Sequence, residues 1–220
     1  MATQTERKTT TRAELLDAAA ACLVERGLAG FTTGEVIARS GRSTGALYSH
    51  FPSKAELLEA TVGHVIDRLR ASFIAALEEQ GPEERTIEGL LGLLWDQISD
   101  PRLGAVYEMY TAARTDPEVQ AAIEPAIRQH LDALHAIMFE VLGDQFGVPN
   151  ERVLSVANLV IFTMQGLAVY LVAVPDPPLV DAMLHDLANL ADWAFEQDDG
   201  VTTMWPSPLD GDAIPASEQP

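Results

Sequence analysis

Apolar residues recur along most of this chain at intervals of three and four, the period of an amphipathic helix. Leu15, Ala19, Cys22 and Leu23 share one face of an early segment. Leu57, Leu58, Val62, Val65, Ile66, Leu69 and Phe73 share one face of a longer one. Strand-like alternation never lasts beyond a few residues, and no internal repeat is visible. The pattern predicts an all-α protein.

Capping residues and breakers divide the helices. Thr11-Arg12-Ala13-Glu14 has the form of a capping box, so the first helix is expected from Thr11 to Gly27, with residues 1–10 a flexible polar arm. Thr32-Thr33-Gly34-Glu35 is a second box, opening a short helix that Gly41 ends. Ser43 caps a third, from Thr44 to about Phe51. Pro52 stops it, and Ser53, with Glu56 three residues on, caps a fourth running to about Glu79. Further helices are expected at about 83–99, 102–114, 117–143, 150–173 and 178–197, separated by Asp100-Pro101, Asp116-Pro117, Gly147-Val148-Pro149 and Pro175-Asp176-Pro177-Pro178. This predicts a small helical domain over 11–60, a larger helical body over 61–197, and an irregular acidic Pro/Gly-rich tail over 198–220. Trp205 alone argues that the tail docks.

The stretch from Val153 to Pro175 holds no charged residue and is long enough to span a membrane. Ser155, Asn158, Thr163 and Gln165 interrupt it, and no basic cluster flanks it. A helix packed on all sides, partly against another subunit, is the better reading. Leu159, Phe162, Thr163, Gly166, Leu167, Tyr170 and Leu171 recur at helical spacing there, as do Leu184, Leu187, Ala188, Ala191 and Phe195 in the last helix. Those two helices are the expected homodimer interface, a four-helix bundle about a two-fold axis, with Gly166 allowing close approach.

Charge changes the picture. The net charge of −19 is unpromising for a partner of nucleic acid. It is not evenly spread. Arg7, Lys8, Arg12, Arg26, Arg39, Arg42 and Lys54 outnumber Glu6, Glu14, Asp17, Glu25 and Glu35, so residues 1–54 are weakly basic and the remainder is strongly acidic. A basic end on an acidic body suits DNA, which would repel the body and orient the end. The single cysteine, Cys22, excludes a disulfide within the chain and fits a reducing cytoplasm. Residues 1–12 are polar with no apolar stretch after them, so no secretory signal is expected.

Two short helices joined by a tight glycine turn, the second rich in small polar residues, make a helix-turn-helix unit. The second helix of such a unit enters the major groove, its first residues reaching base edges. Small Ser43, Thr44, Gly45 and Ala46 permit close approach, and Tyr48, His50 and Lys54 supply donors where phosphates would lie. Spacing alone leaves an ordinary helical corner as the competing interpretation.

Particular residues sharpen it. Leu15-Leu16-Asp17-Ala18-Ala19, Glu25-Arg26-Gly27, Phe31-Thr32-Thr33 and the run Ser40-Gly41-Arg42-Ser43-Thr44-Gly45-Ala46-Leu47-Tyr48-Ser49-His50-Phe51-Pro52-Ser53-Lys54-Ala55-Glu56-Leu57-Leu58 resemble the DNA-binding domain of TetR/AcrR-family regulators. The resemblance covers roughly residues 12–60. It implies an N-terminal three-helix DNA-binding domain on a larger helical ligand-binding and dimerisation domain. It implies that Thr33, Tyr48, His50 and Lys54 contact phosphates, that Thr44, Gly45 and Ala46 face the bases, and that Leu47 and Phe51 hold the recognition helix in place. Arg12 is either a phosphate contact or a solvated residue at a helix start. Gly34 stands where some relatives carry a base-reading arginine. Ile37 replaces a usual alanine and is expected to alter the angle between helices two and three. Arg42 replaces a common apolar turn residue; it should point outward, as a DNA contact or as a solvated turn arginine.

The resemblance also implies ligand control: an effector in the body moves the fourth helix and spreads the paired recognition helices. Trp95, Tyr107, Tyr110, Met138, Phe139 and Phe162, with His135 and Gln165 to orient a ligand, are the candidate pocket; each also fits a core role. The expected effector is a small, weakly polar organic molecule. The five histidines are scattered and show no metal-ligand spacing, so no metal and no cofactor are expected. No nucleophile elbow, phosphate loop or His–nucleophile set appears, so an enzyme is not expected. The function implied is a transcriptional regulator, a repressor released from palindromic double-stranded operator DNA by its effector. Activation through the same docking, and a protein-binding helical adaptor, are the alternatives.

Overall fold

A computed structural model of the protein describes residues 3–81, 85–145, 147–148 and 150–196. The tail expected over 198–220, with Trp205, lies outside the described residues. Among the described residues nine α-helices follow one another: α1 (Gln4–Gly30), α2 (Thr33–Ser40), α3 (Thr44–His50), α4 (Lys54–Glu79), α5 (Ile87–Ile98), α6 (Pro101–Ala113), α7 (Pro117–Met138), α8 (Asn150–Ala173) and α9 (Pro177–Glu196).

The first helix begins earlier than its sequence suggests. Residues from Gln4 onward are helical, not a flexible arm, and Thr11 lies inside α1. The cause is a capping box one step upstream. The Glu6 N–H donates to Thr3 Oγ1 (3.2 Å), and the Thr3 N–H donates to Glu6 Oε2 (2.6 Å). The threonines that follow are accommodated by bonding back along the helix: Thr9 to the Thr5 carbonyl (3.1 Å) and Thr10 to the Glu6 carbonyl (2.9 Å). Gly27 breaks the helix as expected, at φ 64°, before a last turn that ends at Gly30.

The next three helices start at the expected caps. Thr32, Ser43 and Ser53 each accept an N–H from the residue three positions on, Glu35, Ala46 and Glu56. Gly41 ends α2 in the left-handed conformation (φ 64°, ψ 14°) that glycine adopts without strain. Leu15, Leu23, Phe31, Val36, Leu47 and Leu57 are fully or almost fully buried and form the core that holds α1 to α4. Each such side chain stabilises the fold by about 1.5–3 kcal/mol. Cys22 is buried too, its Sγ 3.6 Å from the Gly30 carbonyl, which is the packing role expected of it. Ile37 packs half-buried against the same core.

The core continues without interruption along α4 into the body, where α4 packs on α7. The two Asp-Pro pairs do more than separate helices. Asp100 and Asp116 are N-caps, and Pro101 and Pro117 open α6 and α7 at the position where a missing N–H costs nothing. Helix α5 starts at Ile87 because Thr86 caps it. The expected helix over 117–143 divides: α7 stops at Met138 and the chain widens into a π turn over Phe139–Gln145, which buries the adjacent Val141 and Leu142 together.

The last two helices depart from the expected dimer pattern. On α9, Leu187 and Ala191 are buried and Leu184 half-buried within the protomer, where α9 packs on α5. That stripe completes the protomer core and cannot face a partner. Leu190 and Trp193 are the exposed apolar residues of α9. On α8, Phe162, Gly166 and Tyr170 are exposed, as expected, whereas Leu167 is buried. Within the protomer only 28% of the uncharged stretch of α8 is buried, so its own chain covers one side of the helix and leaves the other open.

Candidate nucleic-acid interface

Helix α3 is pinned from below and open above. Leu47 is fully buried and Phe51 nearly so, and the Phe51 N–H closes the helix on the Leu47 carbonyl (2.9 Å). Ser43, Thr44 and Gly45 at its start are exposed, and Ala46 is half-buried. A Cβ added at Gly45 would meet nothing within 4 Å, so nothing inside the protein requires a glycine there. Ser43 Oγ accepts the Ala46 N–H (3.2 Å) and fixes the helix start.

The other expected residues lie as follows. Tyr48 is about half exposed, and His50 is half-buried at the far end of α3. Thr33 is half-buried at the first position of α2, and beside it Gly34 leaves open space. Lys54 opens α4; its ammonium lies 6.0 Å from the Phe31 ring centroid, on the rim of a cleft shared with Glu108, Asp116 and Glu118. Arg42 is not free. Its guanidinium is ion-paired with the Glu14 carboxylate of α1 and tethers the turn to that helix. The outward arginine expected at the turn is thus half-buried, because a carboxylate on α1 lies within its reach.

Ion pairs set the frame. Arg39 of α2 grips Glu25 of α1 with two bonds of 2.7 and 2.6 Å. Asp17 of α1 meets His64 (2.8 Å) and Arg68 (2.5 Å) of α4, and these hold its carboxyl below the ordinary range despite an opposing burial effect. Arg12 is exposed, and its guanidinium lies over the Phe51 ring at 5.3 Å. His50 is held below its ordinary pKa, first by burial and then by Lys8 and Arg12. Lys8 was not among the expected contacts. Its signal was present in the sequence: Thr3-x-x-Glu6 extends the helix, and the four-residue spacing puts Lys8 and Arg12 on one face.

The eight candidate pocket residues do not line a common cleft among the described residues. Tyr107 is buried and its hydroxyl donates to the Ile98 carbonyl (3.3 Å); burial raises its pKa beyond the ordinary phenol range. Tyr110 packs against it, ring centroids 5.8 Å apart. Met138 is core, Trp95 and Phe139 pack on the core, and Phe162 is exposed on α8. His135 bonds Asn158 across α7 and α8 (2.7 Å), and Gln165 is half-buried. Two clefts of about 450 Å³ each exist, one between α1, α4 and the α6–α7 corner and one between α5 and α9; none of the eight lines either. Large side chains at helical spacing here fill the core.

A capped and exposed recognition helix, on a helical core continuous with a larger helical body, defines a DNA-binding helix-turn-helix regulator. Residues 15–61 match the family of bacterial regulatory proteins named tetR, and residues 81–190 match the tetracyclin repressor-like C-terminal domain. The chain belongs to the TetR family. It is 26% identical over 188 residues to an HTH-type transcriptional regulator of Mycobacterium tuberculosis, covering 86% of this chain and 96% of that one. It is 29% identical over 167 residues to the HTH-type regulator CymR of Pseudomonas putida, covering 76% and 82%. Among solved structures, a transcriptional regulator from Rhodococcus sp. Rha1 shares the fold at TM-score 0.66 and 22% identity (85% and 98% covered). The multidrug binding protein EbrR, complexed with imidazole, shares it at 0.62 and 16% (86% and 97%).

Proposed function

We propose that this regulator is a cytoplasmic, homodimeric repressor that binds a palindromic operator and is released by a small organic effector. The carrying observation is the face formed by Ser43, Thr44 and Gly45: exposed, small, and fixed from beneath by Leu47. That face suits base edges, while Tyr48 and Thr33 flank it for phosphates. Thr44 and Ala46 then carry the base reading, since Gly34 contributes no side chain.

The exposed apolar face of α8, with Leu190 and Trp193 of α9, supports the dimer. Such a face needs cover, and a second copy of the same face would supply it and set two recognition helices about one DNA turn, roughly 34–36 Å, apart. This reading covers α8 with protein, not lipid. Helix α4 supports the release mechanism: one helix of 26 residues runs from the edge of the DNA-binding domain into the body. EbrR, a multidrug binding protein of this fold, agrees with an effector in the body. The reading assigns the chain no catalytic role.

The test is titration of the protein against duplex DNA from the promoter region beside its own gene, at several salt concentrations. A repressor binds that duplex as a dimer, with affinity falling steeply as salt rises. Absence of binding, or binding indifferent to salt, overturns the reading. A thermal-shift screen of small apolar metabolites then finds the effector, which raises the melting temperature and releases the DNA.

A further inference from the structure

We infer that the first three turns of α1 form a second, sequence-independent phosphate clamp, in which Lys8 and Arg12 grip the DNA backbone beside the far end of the recognition helix. The inference rests on the DNA-binding reading above and assigns it a contact surface outside residues 15–61, the stretch that matches the family's DNA-binding domain.

Three observations carry it. The capping box at Thr3 and Glu6 makes residues 4–11 an ordered helix, so Lys8 has a defined position instead of swinging on an arm. That position is beside α3: Arg12 stacks on Phe51, the His50 ring lies 6.2 Å from the Phe51 ring, and Lys8 and Arg12 both act electrostatically on His50. The end of a recognition helix opposite its base-reading start is where backbone phosphates pass.

The third observation is what these cations lack. In this acidic protein Arg26, Arg39, Arg42, Arg68, Arg70, Arg102 and Arg128 each pair with a carboxylate. Among the described residues, neither Lys8 nor Arg12 has a carboxylate partner, a property shared with Arg7, Lys54 and Arg114; what sets Lys8 and Arg12 apart is that both are exposed and both act on His50. Lys8 and Arg12 lie one helical turn apart, so their charges oppose each other; after burial, the largest cause, they add to the lowering of the pKa of the neighbouring His50. That arrangement is unfavourable in the free protein and is relieved by an external polyanion. The acidic body excludes most anions from elsewhere on the surface, and a duplex held by α3 brings its phosphates to this point.

The experiment compares wild type, Lys8→Gln and Lys8→Arg, each full length. The probes are a duplex selected by the wild-type protein from a random-sequence pool and an unrelated duplex of equal length. Lys8→Gln should bind both duplexes about eightfold more weakly at 0.1 M salt, with the slope of log affinity against log salt shallower by about 0.9, the effect of one lost phosphate contact. Its sequence preference should not change. Lys8→Arg should restore affinity and slope. Circular dichroism of Lys8→Gln should show the helix content of wild type. If Lys8→Gln binds as tightly as wild type with an unchanged slope, while the wild-type protein selects a duplex, the clamp is wrong and the regulator reading stands. If the wild-type protein selects no duplex, both fall.

Discussion

The carboxylate of Glu108, in the middle of α6, accepts a hydrogen bond from the backbone N–H of Leu28 at 3.1 Å. The contact joins the body to the last turn of α1 at the point where Gly27 turns the chain. Gly27 has φ 64°, and a Cβ there would stand 2.7 Å from Glu108 Oε2. The glycine is needed for the backbone conformation, and a side chain there would also push the Glu108 carboxylate off the Leu28 N–H.

Gly27→Ala should therefore lower stability by about 1–3 kcal/mol, since it places a side chain in the left-handed region and displaces Glu108. Glu108→Ala should cost roughly 0.5–1.5 kcal/mol, the worth of one hydrogen bond. Glu108→Gln keeps an acceptor oxygen and should cost less. Urea unfolding of the three variants checks the order; a neutral Gly27→Ala contradicts the turn geometry.

Thr44 and Tyr48 should separate base reading from backbone gripping. Thr44→Ala should shift the preferred sequence with little loss of overall affinity. Tyr48→Ala should weaken binding to every duplex alike. Selection from a random pool, followed by titration of selected and unrelated duplexes, reads both effects. An unchanged preference in Thr44→Ala would remove that residue from the base-reading face.

His50 should make DNA binding sensitive to acid. In the free protein burial, with Lys8 and Arg12, holds its pKa below 6.5, so at pH 7 it is neutral. A phosphate brought against the ring favours the charged form and raises that pKa in the complex. Binding then takes up a proton. The added affinity is complete below the free-state pKa and is lost as pH rises through the pKa of the complex. Free-protein stability runs oppositely: the His50 contribution is present above pH 6.5 and declines as pH falls through the folded value. Titrations from pH 5.5 to 8 on wild type and His50→Gln check this; equal pH dependence in both would exclude the histidine.

Phe162 should be indispensable for dimer formation and dispensable for the protomer fold. It is 57% exposed in the protomer. Phe162→Asp should give a monomer by sedimentation velocity, with native helix content and much weaker DNA binding. Ala191→Asp, by contrast, should unfold the body, because Ala191 is buried between α9 and its own protomer. A dimeric Phe162→Asp would place the interface elsewhere.

Helix existence and type were legible because each signal is local. A cap needs a residue and its neighbour three positions on; a breaker needs only its own ring or its missing Cβ. Hence Ser43, Ser53, Gly41 and the Asp-Pro pairs were read in place. The start of α1 was misplaced because two Thr-x-x-Glu boxes lie eight residues apart, and only the helix itself selects the upstream one. The residues of the recognition helix were legible for a further reason: the run Gly45–Lys54 resembles a motif specific to the family, and residues 15–61 match its model.

Direction in space was not legible. The apolar rows of α8 and α9 look alike along the chain, yet Leu187 and Ala191 turn inward while Phe162 and Tyr170 turn outward. Nothing local distinguishes an apolar residue that packs on its own protomer from one left for a partner. Arg42 became a tether because Glu14, twenty-eight positions away, folds within its reach. Lys8 gained its role because α1 crosses beside His50. Caps, periods and motif residues follow from interactions within a turn or two of helix, and the chain alone decides them. Which side chains meet across helices depends on how the helices cross, and only the packed tertiary structure decides that.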